Sequence, residues 1–239
     1  ACSRYLLRCQ ALARTDTDHV WPVLDAAFRE FGLPLYMRSD NGSPFASCGA
    51  GGLSMLSVRL IKAGVIPERI KPGKPQQNGR HERMHLTLLQ DAATPPARTL
   101  REQLRQLHEF QRIYNEERPH QSLDDATPAD LYTPSPRRFD GVLREPEYAA
   151  ELEVRQVRHN GEIRWRNQTI YINQALAGEP IALEENAAGW IVSYGPIALG
   201  TIAHNDHRLR KPKPKRKSCG RVDNASAFPT SPQDQQQQT

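Results

Sequence analysis

Short apolar runs in the first 135 residues have the spacing of β-strands. Every second residue from Tyr5 to Ala11 is apolar or aromatic, which predicts a strand over residues 3–12. Residues 35–37 form an apolar run between Pro34 and the turn residues that begin at Asp40, so a buried strand ending at Asp40 is predicted. A third, brief strand is predicted at residues 65–66.

Between these strands the apolar residues recur at helical spacing. Thr17 or Asp18 can cap a helix that runs to residue 31 and ends at Gly32. Further helices are predicted over residues 53–63, from Asn78 onward, over residues 97–116 and from Thr127. Strands that alternate with helices favour an α/β architecture.

The periodicity changes beyond residue 135, and three further segments are predicted. Residues 136–149 resemble a linker, and residues 150–204 hold short alternating runs between Gly and Asn turns. This pattern predicts a small all-β module, a barrel or a sandwich. Residues 205–239 are basic and then rich in Ser, Pro and Gln, which predicts disorder. Four aromatic residues of the module are interpreted as core rather than as platforms for bases: Trp165, Tyr171, Trp190 and Tyr194.

The net charge of +5 comes from the C-terminal segment. Residues 207–239 hold eight Lys or Arg and two Asp, whereas residues 1–206 hold 24 Lys or Arg and 25 Asp or Glu. Within the body, residues 59–83 hold seven Lys or Arg against two Glu, and this local excess indicates a polyanionic partner. The basic tail is open to two interpretations, nonspecific binding of nucleic acid or an unselected extension.

Composition argues against several other classes of protein. No apolar run approaches the roughly 18 residues that a membrane-spanning helix needs. The four cysteines form no zinc-site pattern, so free thiols in a reducing cytoplasm are predicted rather than disulfides. The first residues lack both an initiator Met and the pattern of a signal peptide, so the chain is expected to begin inside a longer gene product.

Two carboxylates stand at positions where chemistry is common. Asp40 is expected at the C-terminal end of a strand, where open α/β sheets place ligands, but an Asp before Asn-Gly also supports its own turn. Glu82 is expected to begin a stripe with Leu86 and Leu89 that faces the sheet, where a carboxylate is costly unless its charge is used. The alternative is a solvated Glu that the helix dipole favours near the N-terminus. The pattern favours a functional Glu82 and leaves both interpretations of Asp40 open.

Four motifs follow one another between Arg38 and Pro128. They are Arg-Ser-Asp-Asn-Gly-Ser-Pro-Phe, Pro-Gly-Lys-Pro-Gln-Gln-Asn-Gly-Arg-His-Glu-Arg, Tyr-Asn-Glu-Glu-Arg-Pro-His-Gln-Ser-Leu and Thr-Pro. With them, most of residues 1–135 resembles the integrase-core (DDE-type) transposases of bacterial insertion sequences. Residues 41–81 separate the two acids, slightly more than is usual in that family, and the Gly-rich stretch 47–52 is where extra residues are expected. Residues 150–202 resemble the β-rich C-terminal module of these transposases.

The resemblance implies a ribonuclease-H-like fold and a catalytic set of Asp, Asp and Glu that holds two divalent cations. Asp40 matches the second acid and Glu82 the third, each as a catalytic and metal-binding residue. Hard carboxylate oxygens suit Mg²⁺ or Mn²⁺, and two such ions activate the attacking oxygen and stabilise the leaving one in phosphodiester transesterification. Six basic residues near these acids are expected to contact DNA phosphates, although each alone would be interpreted as a solvated surface group: Lys71, Lys74, Arg80, His81, Arg83 and His85.

The first acid of the set has no match in this sequence. Segment 3–12 corresponds to the third strand of the family's fold and holds no acid, while Asp16 and Asp18 stand where helix caps belong. The first acid, and the helix-turn-helix region with which this family recognises transposon ends, are therefore expected to be missing from this sequence.

The expected function is transposase/integrase-type DNA strand transfer, inactive in this fragment because the first acid is missing. The rival hypothesis is a non-enzymatic DNA-binding remnant of a transposase, the product of a pseudogene. The resemblance implies transposon ends and target DNA as partners, a homo-oligomer at full length and no membrane. It also implies a bacterial cytoplasmic, nucleoid-associated location.

Overall fold

The computed structural model describes residues 3–70, 79–206 and 208–211, with the backbone alone at Arg80 and His81. This part of the chain is mixed α/β, as expected, with helices in its first half and strands mostly in its second. The helices are α1 (Thr17–Phe31), α2 (Met55–Lys62), α3 (Gly79–Leu88) and α4 (Leu100–Arg112). The strands are β1 (Tyr36–Ser39), β2 (Ile66–Arg69), β3 (Glu153–Gln156), β4 (Glu162–Trp165), β5 (Gln168–Tyr171), β6 (Pro180–Asn186), β7 (Gly189–Tyr194) and β8 (Ile197–Ala203).

The chain divides into two compact units. The first comprises residues 1–46 and 67–142, and the second comprises residues 47–66 and 143–239. Residues 47–66, which the sequence places in a domain over residues 1–135, are thus grouped with the β-rich part of the chain.

Segment 3–12 is not a strand, which corrects the prediction for it. Its backbone groups bind side chains of the α4 region instead of a neighbouring strand. The Leu6 N–H donates to Asn115 Oδ1 at 2.8 Å, and Asn115 Nδ2 donates to the Leu6 carbonyl at 3.0 Å. Gln111 Nε2 also donates to the carbonyl oxygens of Leu6 and Leu7, both at 3.0 Å. Alternation alone could not predict this, because a strand also needs a partner for its backbone.

Helix α1 begins and ends close to the predicted residues, with a different cap. The Asp16 carboxylate accepts the N–H of His19 at 3.0 Å, so Asp16 is the N-cap rather than Thr17 or Asp18. At the other end Gly32 has φ of +78°, a conformation that glycine adopts without strain. Hydrogen bonds from His19 lower the pKa of Asp16, which is engaged as a helix cap.

Helices α3 and α4 share one hydrophobic cluster of the first unit. Its buried residues are Cys9, Ala92, Leu107, Phe110 and Tyr114, with Leu6, Ala11, Met84 and Leu88 packed against them. Thr99 caps α4, and the predicted helix over residues 97–116 continues past Arg112 only as a wider π-helical turn. The short helix predicted from Thr127 is a turn instead, in which the Thr127 N–H and hydroxyl both donate to Asp130 Oδ2.

The Gly-rich stretch 47–52 and helix α2 pack on the β-rich part of the second unit. Asn173 Nδ2 donates to the carbonyl oxygens of Ala50 (3.2 Å) and Leu53 (3.0 Å). A Cβ at Gly49 would lie 2.6 Å from this same Nδ2, so a larger residue there would displace the Asn173 amide. Leu53, Val58 and Ile61 then join the core of the β-rich module.

The β-rich module consists of a four-stranded antiparallel sheet in the order β3-β6-β7-β8 and a separate β4-β5 hairpin. Within the described residues the strands do not close into a barrel, so that part of the prediction is not supported. The hairpin turn at Arg166 and Asn167 has φ of +45° and +63°, as two-residue hairpin turns require. Trp165, Trp190 and Tyr194 are at most 4 % exposed and are core, as predicted, whereas Tyr171 is 55 % exposed.

No helix in the described ranges is both long and apolar enough to cross a membrane. Cys9 and Cys48 are free thiols, as expected, and burial raises the pKa of Cys9 to about 11. Cys2 and Cys219 lie outside the described residues.

Candidate active-site region

Strands β1 and β2 pair with each other and place Asp40 at the end of β1. Arg38 on β1 contacts Glu68 on β2 across the pair, with Nη2 2.9 Å from Oε2. The prediction of a buried strand here is wrong, since Leu35 is 58 % and Tyr36 46 % exposed. Two strands alone do not cover these apolar side chains, and apolar composition by itself cannot guarantee burial.

The exposed Asp40 carboxylate supports its own turn. Its Oδ1 accepts the N–H of Gly42 at 3.1 Å, which is the geometry of an Asx-turn. The turn role expected from Asp-Asn-Gly is therefore present. It occupies one carboxylate oxygen, and an ionised carboxylate has acceptor capacity for further ligands.

Asn41 ties this turn to the end of β2. Its Nδ2 donates to the carbonyl of Ile70 at 3.0 Å. The chain continues from Ile70 through residues outside the description to α3, which carries Glu82. The turn that contains Asp40 is thus hydrogen-bonded to Ile70, the last described residue before α3 and Glu82.

Glu82 is exposed in the first turn of α3. The prediction that it begins a packed stripe is wrong, because Leu86 is 50 % and Leu89 42 % exposed. Met84 and Leu88 form the packed side of the helix instead, against the core that contains Leu107, Phe110 and Tyr114. Both apolar pairs have helical spacing, so periodicity could not decide which side faces the core.

Asp40 and Glu82 lie in the same compact unit, and both are exposed. Neither has an ion-pair partner among the described residues. Within the same residues, no three or more His, Cys, Asp or Glu side chains come together as metal ligands. The described residues thus present two exposed carboxylates, one of which also holds a turn, rather than an assembled three-carboxylate site.

The structure describes the side chains of two of the six residues that are predicted to contact DNA. Lys71 and Lys74 lie outside the described residues, and the side chains of Arg80 and His81 on α3 are not described. His85 is exposed near the end of α3, and Arg83 lines a pocket between α3 and the segment after α4.

This pocket contains basic residues that the sequence motifs alone did not single out. Arg4 and Arg118 line it together with Arg83, as does His120. Burial lowers the pKa of His120; a hydrogen bond to the backbone of Tyr114 opposes this effect, and the positive charges of Arg4 and Arg118 add to it. Arg118 and His120 belong to one of the four motifs, so the sequence could have indicated them. Arg4 belongs to none of the motifs and lies 114 residues from Arg118, so the sequence could not have indicated it.

Residues 63–128 match the family model of the integrase core domain. The match covers 66 of the 239 residues and includes three of the four motifs, with Glu82, Arg83, Arg118 and His120. Asp40 and Arg4 lie outside it. The match supports the resemblance drawn from the sequence: residues 63–128 are similar to the integrase core of DDE-type transposases.

Proposed function

We propose that this chain carries out the DNA-handling part of transposase/integrase-type strand transfer, with Asp40 and Glu82 as its metal-binding acids. The integrase-core match over residues 63–128 is the observation that carries the proposal. Its partner is DNA, since an integrase-type domain acts on that substrate. Asp40 is included with Glu82 because it lies in one of the four motifs and directly follows β1.

We further propose a ribonuclease-H-like arrangement for the core. In its support, helices and strands alternate along the chain from α1 to α3, and β1 pairs with β2. In the described residues this sheet has two strands. Additional strands would also bury Leu35 and Tyr36, whose exposure is high for apolar residues next to a strand pair.

The two acids suit a hard divalent cation. Carboxylate oxygens are the ligands that Mg²⁺ and Mn²⁺ prefer, and both side chains are accessible to an ion that keeps several waters. Divalent cations bound here would stabilise charge on the attacking and leaving oxygens of a phosphodiester.

The protein's own groups have separate roles in this proposal. The Gly42 N–H fixes the orientation of the Asp40 carboxylate through its bond to Oδ1. Asn41 fixes the position of the same turn against Ile70. Glu82, in the first turn of a ten-residue helix, stands on a rigid element and is favoured as an anion by the helix dipole. The basic residues around it offset the negative charge of the DNA backbone.

We also propose that this chain alone does not cleave or join DNA. Two carboxylates can bind one cation, but chemistry with two cations uses a third carboxylate to complete the set. Among the described residues no third acid gathers with others as a metal ligand.

The proposal is tested by Mn²⁺ binding, followed by electron paramagnetic resonance. Asp40→Asn and Glu82→Gln should each weaken Mn²⁺ binding by about tenfold or more, because loss of one charged ligand costs on the order of 1.4 kcal/mol or more. Glu116→Gln is the matched control, since Glu116 is exposed in the same unit and should leave binding unchanged. Unchanged binding in both acid variants would remove Asp40 and Glu82 from the site.

A donor-end cleavage assay with Mn²⁺ tests the predicted inactivity. We expect no turnover. Turnover that Asp40→Asn abolishes would show that a third carboxylate is present in the chain, and would overturn the inactivity. Absence of any Mn²⁺ site combined with retained DNA binding would favour the rival, a non-enzymatic DNA-binding remnant.

A further inference from the structure

A pocket of about 360 Å³ in the first unit gathers basic residues that are far apart in the sequence. Its charged lining comes from Arg4, Arg83 and Arg118, and its other polar side chains include Thr87, Gln121 and Ser122. No Asp or Glu of the described residues lines it. The volume lies at the lower end of the range of about 300–1,000 Å³ that is usual for small-ligand pockets.

The arginines of the pocket are only partly neutralised. Arg118 Nη1 lies 3.0 Å from Asp91 Oδ2, and both side chains are more than 40 % exposed, so this pair contributes little. Arg4 and Arg83 have no ion pair with any described residue. Three like charges around one cavity repel each other, and a bound anion would relieve that repulsion.

The pocket is also partly built before any ligand binds. Arg4 has φ of +60°, a backbone conformation that non-glycine residues rarely adopt. The nearby residue Leu6 is held by both of its backbone groups on Asn115, which fixes the segment that carries Arg4. Within the lining, the rings of Tyr114 and His120 pack edge to face, with 4.8 Å between their centroids.

A hydrogen-bonding group in the pocket lining lacks a protein partner. His120 Nε2 is buried and has no hydrogen-bond partner in the described part of the chain. A buried polar atom of this kind costs free energy unless a water or a ligand satisfies it. Guanidinium groups have five donors in a planar fork that matches phosphate oxygens.

We propose that Arg4, Arg83, Arg118 and His120 form a phosphate-binding pocket that holds a backbone phosphate of DNA. The DNA part of this inference rests on the proposed function, whereas the phosphate chemistry rests on the pocket alone. Arg83 directly follows Glu82 on α3, so a phosphate held there would lie beside the helix turn that carries the proposed metal ligand. The pocket would therefore fix the position of the DNA strand relative to Glu82.

The experiment uses the full chain and two probes, inorganic phosphate and a labelled duplex of arbitrary sequence. The double variant Arg4→Gln, Arg118→Gln removes two charges from the pocket. The matched control Arg101→Gln, Arg105→Gln removes two exposed arginines of α4 that do not line it. Phosphate binding is followed by the NMR signals of the His120 ring, and DNA binding by fluorescence anisotropy at several salt concentrations.

In the parent and the control, phosphate should shift the His120 signals and raise the pKa of the ring. In the double variant, phosphate affinity should fall by about tenfold or more, and the salt slope of DNA binding should decrease by about 0.9 for each DNA phosphate that the variant no longer neutralises. Loss of phosphate binding with unchanged DNA affinity would overturn the DNA assignment, because the pocket would then take only a free phosphate group. Unchanged binding of both probes would overturn the pocket itself.

Two controls keep these outcomes interpretable. If the Gln variant fails to fold, Arg4→Lys with Arg118→Lys keeps the charge but removes the planar fork, and phosphate binding should still weaken. The Mn²⁺ experiment on Asp40 and Glu82 does not depend on the pocket. If the Asp40 and Glu82 variants bind Mn²⁺ more weakly while the pocket variants bind phosphate and DNA like the parent, the pocket alone is rejected. If the acid variants bind Mn²⁺ like the parent while the pocket variants lose phosphate and DNA binding, the metal site alone is rejected.

Discussion

In the first unit, the side chain of Asn115 makes hydrogen bonds that a neighbouring strand would otherwise make with the backbone. Asn115 is 2 % exposed and binds the N–H and the carbonyl of Leu6 at the same time. Its own carbonyl accepts the N–H of Ala129 at 2.8 Å. One amide side chain thus performs for segment 3–12 the task that a neighbouring strand would perform in a sheet.

Replacing this amide should destabilise the first unit. Asn115→Leu leaves the Leu6 N–H without its partner and leaves Gln111 as the remaining side-chain donor to the Leu6 carbonyl, which should cost about 1–3 kcal/mol. Hydrogen exchange at the Leu6 amide, together with urea unfolding, measures the loss. Gln106→Leu, at an exposed position of α4, is the control and should change little. Equal protection of Leu6 in both variants would show that Asn115 does not hold this segment.

Asp40 combines the turn role expected from its motif with an exposed carboxylate. The Asx-turn with Gly42 is present, and the carboxylate is still exposed at the end of a strand. A turn role and a metal-binding role use different acceptor positions of the same group. The local geometry therefore does not exclude the role that the family resemblance implies.

Helix α2 is the element whose packing the sequence predicts least well. Its bounds are close to the predicted ones, and Ser54 caps it by accepting the Ser57 N–H at 3.1 Å. Its buried side chains Val58 and Ile61 belong to the core of the β-rich module. Lys62 at its end pairs with Glu179 of that module at 2.8 Å, and Glu179 also accepts the Tyr194 hydroxyl at 2.8 Å.

Ile61→Ala should therefore destabilise the β-rich module rather than α4. Deletion of a buried Ile side chain costs about 2–5 kcal/mol, and Ile61 is 3 % exposed. Hydrogen exchange should show faster exchange at β7 amides and unchanged exchange at α4 amides. Met55→Ala, on the same helix at a side chain that is 54 % exposed, is the control. Faster exchange at α4 instead would place α2 with the first unit.

Charge is distributed unevenly along the whole chain. Residues 1–206 hold nearly equal numbers of acidic and basic side chains, so their attraction to DNA must come from local clusters. Residues 212–239 hold five Lys or Arg and two Asp. Leu209 packs on the module core and Arg210 bridges Thr201 by two backbone bonds of 2.9 Å, so residues 208–211 belong with the folded part.

Deleting residues 212–239 should weaken nonspecific DNA binding and flatten its salt dependence, because fewer counterions are released per bound protein. Affinity should remain, and in the shortened chain Lys71→Ala, Lys74→Ala and Arg80→Ala together should lower it further. The loss should be equal for all DNA sequences, because phosphate contacts carry no base information. Anisotropy titrations at several salt concentrations measure both effects. If the triple variant binds as well as its shortened parent, this basic segment does not contact DNA.

Local signals predicted most of the elements. The end of α1 at Gly32 and the alternating runs of the β-rich module depend on residues within a few positions of each other. The chemistry of Glu82 could also be proposed from its motif, and the integrase-core match includes that residue. Strand β8 pairs with β7 from Ile197 to Ala203, with one register shift opposite Val192 and Ser193.

Features that depend on distant contacts were decided by the tertiary structure. Segment 3–12 alternates like a strand, yet its backbone bonds go to Asn115 and Gln111, more than 100 residues away. Both apolar pairs of α3 have helical spacing, and the position of the Phe110 and Tyr114 cluster selects Met84 and Leu88 for burial. Arg4, Arg83 and Arg118 come together around one pocket for the same reason. Strand-like alternation and helical spacing are local patterns that fit more than one packing arrangement. The arrangement that forms is set by the free energies of hydrophobic burial and hydrogen bonding, which depend on the distant groups that the folded chain brings into contact.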